Sequence, residues 1–252
     1  MIKPYYQDEF ATIYHGDCRE VVPMLGKFDF VLTDPPYGHN NNNGDLIHNM
    51  EAALGRRKVK KEDCRPIAND GFDDAHDLAV WLFSTAAEVL RNGSCCCCCC
   101  CCCGGGGPDP QFARWSLLMD RYLNFKQAVV WDKGPIGMGW HYRRSYEMVL
   151  VAQKGKGKCA WFDNSHKVEN IIRHIRKIIP QKTDHPTPKP VALMQHFINL
   201  HTQPEEIILD PFMGAGTTLV AAKMMGRHVV GVELDESYCE MAAKRLREVT
   251  HG

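Results

Sequence analysis

The sequence predicts an α/β protein built on a doubly wound sheet. Short apolar runs alternate along the chain with segments of helical periodicity, which is the pattern of such sheets. Two motifs that carry chemical side chains, DPPY (34–37) and DPFMGAGTT (210–218), each follow a predicted strand. The glycines of the second motif allow a tight turn from a strand into a helix, as in nucleotide-type βαβ units.

The length and composition fit one domain spanning residues 1–252. Apolar residues make up 44% and charged residues 24% of the chain, which is typical of globular proteins. The sequence has no apolar run of about 18 residues and no signal-peptide pattern in MIKPYYQDEF, so we expect a cytoplasmic protein. The formal net charge of zero argues against a uniformly basic nucleic-acid binder.

Periodicity and end signals predict each element in turn. The first half is predicted to contain strands at ATIYHGD (11–17), FDFVLTD (28–34) and Cys95–Cys103, with helices at CREVVPML (18–25), Asp74–Arg91 and Asp109–Tyr122. The second half is predicted to contain strands at FKQAVVWDK (125–133), SYEMVLVAQK (145–154), EEIILD (205–210) and HVVGVEL (228–234), with helices at Lys189–His201, from the glycine turn to Met225 and at Asp235–Val249. Pro110 and Pro190 suit the first turns of their helices, and Asp109 suits an N-cap.

The predicted strand at Cys95–Cys103 has an unusual composition. Nine of the 13 cysteines form one block, Cys95–Cys103, and the other four form no CxxC pair. A homopolymer lacks the ligand spacing of a zinc site, whereas a buried strand can use cysteine as a small hydrophobe. Burial would raise the pKa of these thiols and leave them inert. A flexible repeat, a metal cluster and an error in the sequence are the alternatives.

Two segments are predicted to lie outside the regular elements. The polar stretch at residues 39–70 is too long for an ordinary connection, so we expect a mobile functional loop. Residues 155–184 are predicted to form a small basic insert. Lys133–Lys189 holds 12 basic and 4 acidic residues, and Arg56–Arg65 holds 6 basic and 2 acidic residues. Both segments could meet phosphates, although solvated surface faces are the alternative.

The DPPY motif places a carboxylate and an aromatic ring on a stiff turn. Pro35 and Pro36 cannot donate to a sheet ladder, and each restricts the residue before it. The strand must therefore stop at Asp34, which with Tyr37 is held on a non-helical turn. In isolation, Asp34 could merely cap this turn, and Tyr37 could pack in the core.

The second motif predicts a nucleoside site. A strand ends at Asp210, Gly214 and Gly216 form the turn, and the next strand ends in Glu233, which is placed to bind ribose hydroxyls. The pattern lacks the full GxGxxG of dinucleotide sites and the phosphate-binding lysine of GK[ST] sites. A glycine turn beside Phe212 with no phosphate clamp suits a nucleoside without pyrophosphate, and S-adenosylmethionine is the obvious candidate. A plain surface role for Glu233 is the alternative.

Together, the motifs resemble those of the amino-group DNA methyltransferases, which methylate adenine N6 or cytosine N4. HGDC (15–18) and HPTPKP (185–190) match two further cofactor-side elements, and the order, with DPPY first, is the circularly permuted order of the β group. The resemblance implies a Rossmann-like S-adenosylmethionine-dependent fold. Its seven-stranded sheet is mostly parallel, with SYEMVLVAQK as the one antiparallel strand and the cysteine block inside.

The resemblance also implies roles for individual residues. Asp34 and the Pro35 carbonyl would accept the hydrogens of the target amine, Pro36 would stiffen the turn, and Tyr37 would stack on the base. The implied cofactor-binding residues are Asp17, Cys18, Asp34, His185, Lys189, Asp210, Phe212, Gly214, Gly216, Thr217 and Glu233. The candidate DNA-binding residues are Trp140, Tyr142, Arg143, Arg144, Lys154 and Lys156. The insert at residues 155–184 is the candidate segment for target recognition. Helix capping by Asp17, packing by Cys18 and a solvated Lys189 are the alternatives.

The expected function is S-adenosylmethionine-dependent methylation of adenine N6 in double-stranded DNA, with the base flipped out of the helix. Cytosine-N4 methylation, methylation of RNA or of a protein glutamine, and a catalytically silent binding module are the alternatives. We expect no metal and no membrane association. A homodimer and a partner restriction nuclease are expected only by analogy with the family.

Overall fold

The computed structural model describes residues 2–38, 68, 71–100, 111–135, 145–175 and 189–249. These residues form one sheet whose strands are, in chain order, β1 Tyr6–Gln7, β2 Ala11–His15, β3 Phe28–Thr33, β4 Leu90–Cys100, β5 Asn124–Asp132, β6 Tyr146–Gln153, β7 Ile171–Ile172, β8 Ile207–Asp210 and β9 His228–Glu233. The helices are α1 Cys18–Val21, α2 Phe72–Val89, α3 Gln111–Tyr122, α4 Val191–His201, α5 Thr217–Met224 and α6 Glu236–Glu248. A 3-10 turn at Val22–Met24 continues α1.

The sheet has the spatial order β1-β2-β9-β8-β3-β4-β6-β5-β7. Strands β2, β9, β8, β3 and β4 run parallel to one another, whereas β6 pairs antiparallel with both β4 and β5. The seven predicted strands and the predicted antiparallel strand are thus confirmed. The two further strands, β1 and β7, have two residues each and extend the two edges of the sheet.

The cysteine block forms the predicted buried strand as far as the structure describes it. Each of Cys95–Cys99 is at most 2% exposed, and β4 lies between β3 and β6. Alternate thiols enter two separate cores, one on each face of the sheet. Burial raises the pKa of the Cys96 and Cys97 thiols well above the usual value. Residues 101–103 lie outside the described part, and no metal-binding cluster occurs among the described residues.

Helices cover both faces of the sheet. Helices α4, α5 and α6 contribute Phe197, Leu219 and Ala242 to one core. Helices α2 and α3 contribute Phe83 and Trp115 to the other. This arrangement explains the sequence pattern, since central strands with two buried faces read as continuous apolar runs. No helix in the described part of the chain is long and apolar enough to cross a bilayer.

Strand direction decides which residues can share a site. The carboxyl ends of β2, β3, β8 and β9 meet along one edge of the sheet, hereafter the carboxyl edge. Asp17 and Asp34 follow β2 and β3 there, and Asp210 and Glu233 end β8 and β9. Ligands of open α/β sheets bind at this edge.

The described part of the predicted insert begins at the opposite edge. Ala160 donates its N–H to the Gly93 carbonyl at 2.9 Å, and Phe162 donates to the Leu200 carbonyl at 2.9 Å. Residues 155–162 therefore lie against the start of β4 and the C-terminal end of α4. The chain then reaches β7, the last strand in the order of the sheet, which pairs with β5. Target recognition by this insert stays a prediction.

Candidate active site

The turn after β3 is tied to the turn after β8. The Thr33 hydroxyl donates to Asp210 Oδ1 at 2.7 Å, and both side chains are buried. The same oxygen accepts the Phe212 N–H at 3.2 Å. Burial raises the pKa of Asp210 to about 6, although these hydrogen bonds oppose the shift. Asp210 thus acts inside the fold, where it joins the DPPY turn to the glycine turn.

Asp34 presents two different carboxylate oxygens. Its Oδ2 accepts a hydrogen bond from Lys189 Nζ at 2.6 Å. Its Oδ1 is buried and has no hydrogen-bond partner within the part of the chain that the structure describes. Burial raises the pKa of Asp34, and the charge of Lys189 opposes that rise. The side chain as a whole keeps 30% exposure, whereas Oδ1 itself is buried.

Lys189 contacts two residues of the DPPY turn. Besides Asp34, its ammonium donates to the Tyr37 hydroxyl at 3.1 Å and lies 5.4 Å from the centroid of that ring. It also lies 3.5 Å from Glu147 Oε2. The resemblance assigns this position to the cofactor, and in the structure the side chain contacts the predicted catalytic acid. Pro35 is buried and Tyr37 half-buried, with its ring centroid 6.3 Å from that of Trp115.

The glycine turn has the backbone that its sequence predicts. Gly214 and Gly216 have φ values of 50° and 75°, in the left-handed region that favours glycine. A Cβ at Gly216 would lie 2.7 Å from the Ala242 Cβ, so the turn packs directly on α6. Helix α5 begins at Thr217.

Glu233 faces this turn from the end of β9. Its Oε2 accepts the Gly214 N–H at 3.0 Å, and its Oε1 accepts the Asp235 N–H at 2.9 Å. Burial raises the pKa of Glu233. A carboxylate oxygen has two lone-pair sites, so each oxygen can accept one more hydrogen bond. The acid therefore lies where a ligand in the glycine turn could meet it.

The third strand end of the predicted cofactor site is β2. Asp17 caps α1 through the Arg19 N–H at 2.8 Å and pairs with the Arg19 guanidinium. Its neighbour Gly16 donates to the Glu233 carbonyl at 2.9 Å, which places Asp17 beside the end of β9. Cys18 is buried in the core, and burial raises its pKa to about 12. Its side chain therefore packs in the core on one face of the sheet, and cofactor contact by Cys18 stays a prediction.

Phe212 is the aromatic residue of the glycine turn. It is half-buried, and its ring packs edge-on against Trp81, with the centroids 6.1 Å apart. Asp34, Lys189, Glu233, Gly214 and Phe212 are therefore all brought to the carboxyl edge.

Two predicted DNA contacts are not at this edge. Strand β6 runs antiparallel, so Lys154 and Lys156, which follow it, lie at the opposite edge of the sheet. The Lys154 ammonium donates to the carbonyls of Leu90 at 2.7 Å and Glu88 at 3.2 Å, which holds it against the start of β4. Both residues are therefore excluded from the candidate site. Trp140, Tyr142, Arg143, Arg144 and His185 lie outside the described residues.

Sequence reasoning missed two charged residues behind the site. Glu147, in β6, is 7% exposed, and Lys133, directly after β5, is 3% exposed. Lys133 Nζ donates to Glu147 Oε1 at 3.0 Å. Ionisable groups in predicted sheet strands are a signal that could have identified them, because buried charges are rare unless paired.

The residues at the carboxyl edge fit a nucleoside-bearing cofactor. A side chain at Gly216 would collide with α6, and the glycine backbone leaves the Glu233 carboxylate facing the turn. The motif contains no lysine that could clamp a phosphate. Asp34 Oδ1, which has no hydrogen-bond partner among the described residues, adds an acceptor on the adjacent strand end. Such a constellation can hold a nucleoside in the glycine turn and accept a hydrogen bond from a polar group beside it.

Comparison with known proteins agrees with this geometry. A family model described as DNA methylase, N6_N4_Mtase, matches residues 28–244. The type II methyltransferase M2.LlaDCHI of Lactococcus lactis subsp. cremoris is 26% identical over 100% of this chain and 95% of its own length. The type II methyltransferase M2.DpnII of Streptococcus pneumoniae is 25% identical over 98% of this chain and 93% of its own length.

Solved structures share the fold. The complex of M1.HpyAVI with SAM, at 25% identity, superposes with a TM-score of 0.67 over 94% of this chain and 98% of its own. The PvuII DNA methyltransferase, which is cytosine-N4-specific, superposes with a TM-score of 0.73 over 97% of this chain and 89% of its own. Its 15% identity supports the shared fold alone.

Proposed function

Since this chain belongs to the N6/N4 DNA methylase family and is an S-adenosylmethionine-dependent amino-group DNA methyltransferase, we propose that its target is the N6 amine of adenine. The observation that carries the assignment of the reacting site is the Asp34 carboxylate, with Oδ2 held by Lys189 and Oδ1 buried without a partner among the described residues. In the family that this chain resembles, DPPY is commoner among adenine-specific enzymes than among cytosine-specific ones, and this favours adenine as the target.

The DPPY turn would orient the amine. An exocyclic amine is a poor nucleophile because its lone pair is delocalised into the ring. Hydrogen bonds from its two hydrogens to Asp34 Oδ1 and to the Pro35 carbonyl would draw the nitrogen toward a tetrahedral arrangement and free the lone pair. The prolines fix the direction of the carbonyl. Orientation and electrostatic stabilisation would therefore supply most of the lowering of the barrier.

The glycine turn would hold the methyl donor. S-adenosylmethionine supplies a methyl group activated by its sulfonium. Glu233 would bind the ribose hydroxyls through its remaining lone pairs, and Phe212 would contact the adenosine. Gly214 and Gly216 would give the backbone room to approach, with Asp17 at the neighbouring strand end. The Asp210 carboxylate would not touch the donor, since its partners lie inside the fold.

The target base must leave the duplex to reach Asp34. Flipping costs a few kcal/mol, which stacking on Tyr37 and the amine hydrogen bonds would offset. The loop at residues 39–70, which the sequence predicts to be functional, lies outside the described residues except for residue 68, and so do Arg143 and Arg144, which we predict to hold phosphates beside Trp140 and Tyr142. Residues 155–184 would read base edges. The type II methyltransferases among the relatives suggest a role beside a restriction nuclease.

The test is the identity of the methylated base. The protein is incubated with labelled S-adenosylmethionine and long unmethylated genomic DNA, which contains many candidate recognition sites. The DNA is then digested to nucleosides and separated. Label in N6-methyladenine is expected. Label in N4-methylcytosine would change the target base, and label only in parallel RNA or protein substrates would overturn the proposal.

A further inference from the structure

A chain of alternating charges runs from the interior of the sheet to the predicted catalytic acid. Lys133 Nζ contacts Glu147 Oε1 at 3.0 Å, Glu147 Oε2 lies 3.5 Å from Lys189 Nζ, and Lys189 contacts Asp34 Oδ2 at 2.6 Å. The side chains of Lys133, Glu147 and Lys189 are at most 10% exposed. Its four residues come from separate parts of the chain, namely the segment directly after β5, strand β6, the segment before α4 and the DPPY turn itself.

Such a chain needs an explanation, because it is costly to build. Removing an ion from water costs several kcal/mol, and well-packed apolar residues in place of a buried pair are often neutral or stabilising. Stability alone is therefore weak grounds for keeping Lys133 and Glu147. The chain does not end in the core, since Lys189 also donates to Tyr37. The chain of charges ends at the DPPY motif, to which the reaction is assigned.

We propose that Glu147 is a positioning residue, which holds the Lys189 ammonium so that it binds only Oδ2 of Asp34 and leaves Oδ1 for the substrate amine. This inference rests on the proposed function of the DPPY turn. Lys133 is the counter-ion that pairs with Glu147 and holds it in place.

The groups that surround the Lys189 ammonium support this role. The Lys189 ammonium donates hydrogen bonds to Asp34 Oδ2 and Tyr37 Oη, and Glu147 Oε2 lies 3.5 Å away as an ion-pair partner. Lysine is a point charge on a flexible stem, so a buried carboxylate beside the ammonium restricts where that charge can lie. Without Glu147, the ammonium would be drawn toward the Asp34 carboxylate as a whole and would compete for Oδ1. Misplacement of a reacting group by about 1 Å can cost about 100-fold in rate.

The first test is a double-mutant cycle on turnover. Glu147→Gln keeps the shape of the side chain and removes its charge, and we expect kcat to fall by about 10- to 100-fold. In the Lys189→Met background, the same substitution should change kcat less than about twofold, because Glu147 acts only through Lys189. The matched control is Glu240→Gln at an exposed ion pair on α6, which should leave kcat unchanged. The proposal would be overturned if the two substitutions lowered kcat independently, so that the fold-loss of the double variant is the product of the two single losses.

The second test separates positioning from stability. Glu147→Gln should lower the thermal midpoint of the apo-protein, since Lys133 loses the carboxylate that it binds. Lys133→Met with Glu147→Gln removes both partners and should restore most of that midpoint, whereas kcat should stay as low as in Glu147→Gln alone. Recovery of kcat together with the midpoint would show a purely structural role. A wild-type protein that methylates no adenine would instead contradict the proposed function, so the two failures are distinguishable.

Discussion

At the scale of single residues, the two carboxylate oxygens of Asp34 differ in their hydrogen bonding. Oδ2 accepts from Lys189, and Oδ1 lies buried without a partner among the described residues. Both the acid and the proline turn are evident in the sequence, because prolines stop a strand wherever they occur. The partner of the acid is not evident, since Lys189 stands 155 positions away along the chain. Only the fold brings these side chains together.

Asparagine at position 34 separates these two roles. Lys189 can only donate, so the amide of Asp34→Asn should turn its oxygen toward Lys189 and its NH₂ toward the substrate amine. An acceptor is thereby replaced by a donor of nearly the same shape. We expect kcat to fall by about 100-fold or more, while the affinity for S-adenosylmethionine, measured by calorimetry, changes little. Retained turnover would remove Asp34 from its assigned role.

His201 gives the fold a pH dependence of its own. It is 3% exposed, it contacts the Ala160 carbonyl through Nδ1 at 3.0 Å, and burial lowers its pKa to about 4. The unfolded chain binds this proton at about pH 6.5, so the stability that neutral His201 gives is present above pH 6.5. That stability is lost as the pH falls toward 4, by about 2 kcal/mol between pH 7 and pH 5.

Asparagine at position 201 tests this linkage, because its amide nitrogen can replace Nδ1 as a donor but does not titrate. His201→Asn should lower stability at pH 7, because packing on Phe30 and Trp161 is weakened. Its free energy of unfolding should then depend less on pH, by about 2 kcal/mol between pH 7 and pH 5. Urea denaturation at both pH values measures the difference. An unchanged difference between the two pH values would show that His201 is not the group that titrates.

At the scale of elements, the glycine turn depends on close packing as well as on backbone freedom. Gly216 and Gly226 both have positive φ values, of 75° and 65°. A Cβ at Gly216 would lie 2.7 Å from the Ala242 Cβ, whereas a Cβ at Gly226 would meet nothing within 4 Å. A comparison of alanine substitutions at the two positions therefore distinguishes backbone strain from steric collision.

Alanine at these two positions forms a matched pair. Gly226→Ala should cost about 1 kcal/mol of stability from backbone strain alone. Gly216→Ala should cost more, since overpacking typically adds about 1–3 kcal/mol, and it should also weaken binding of S-adenosylmethionine. Ala242→Gly added to Gly216→Ala should recover part of the loss. Equal losses at positions 216 and 226 in chemical denaturation would contradict the packing argument.

Elements were predictable where the pattern was long enough. All seven longer strands were predicted, and the structure ends most of them within one or two residues of the expected positions, because apolar runs and turn residues mark them clearly. The buried cysteine strand was also predicted, since alternate thiols can enter two cores. Strands β1 and β7 were missed, because two residues are too few to show alternation.

At the scale of the whole molecule, strand direction decides which charges can reach DNA. The family resemblance implied an antiparallel β6, and the sequence analysis assigned Lys154 and Lys156, directly after β6, to DNA. An antiparallel strand ends at the edge opposite Asp34, so both lysines lie away from the candidate site, and DNA contact by them stays a prediction. Net charge along the chain cannot reveal this, since it ignores topology.

DNA affinity provides a whole-molecule test. Lys154→Ala with Lys156→Ala should leave the dissociation constant for DNA within about twofold of the wild-type value, and the dependence on salt unchanged. Arg143→Ala with Arg144→Ala, at positions predicted from the sequence to bind phosphates, should weaken binding and reduce the salt slope by about one for each phosphate that the variant no longer binds. Fluorescence anisotropy at several salt concentrations measures both. The reverse result would place DNA on the opposite edge of the sheet.

The central claim is that Asp34 Oδ1 receives the amine of a flipped base. A crystal structure with DNA and a non-reactive analogue of S-adenosylmethionine tests this claim most directly. We predict an extrahelical adenine whose N6 lies at a hydrogen-bonding distance of about 2.6–3.2 Å from Asp34 Oδ1, with Lys189 on Oδ2 and Tyr37 against the base. A closed complex in which Asp34 points away from the base, or in which Lys189 covers both oxygens, would contradict the claim.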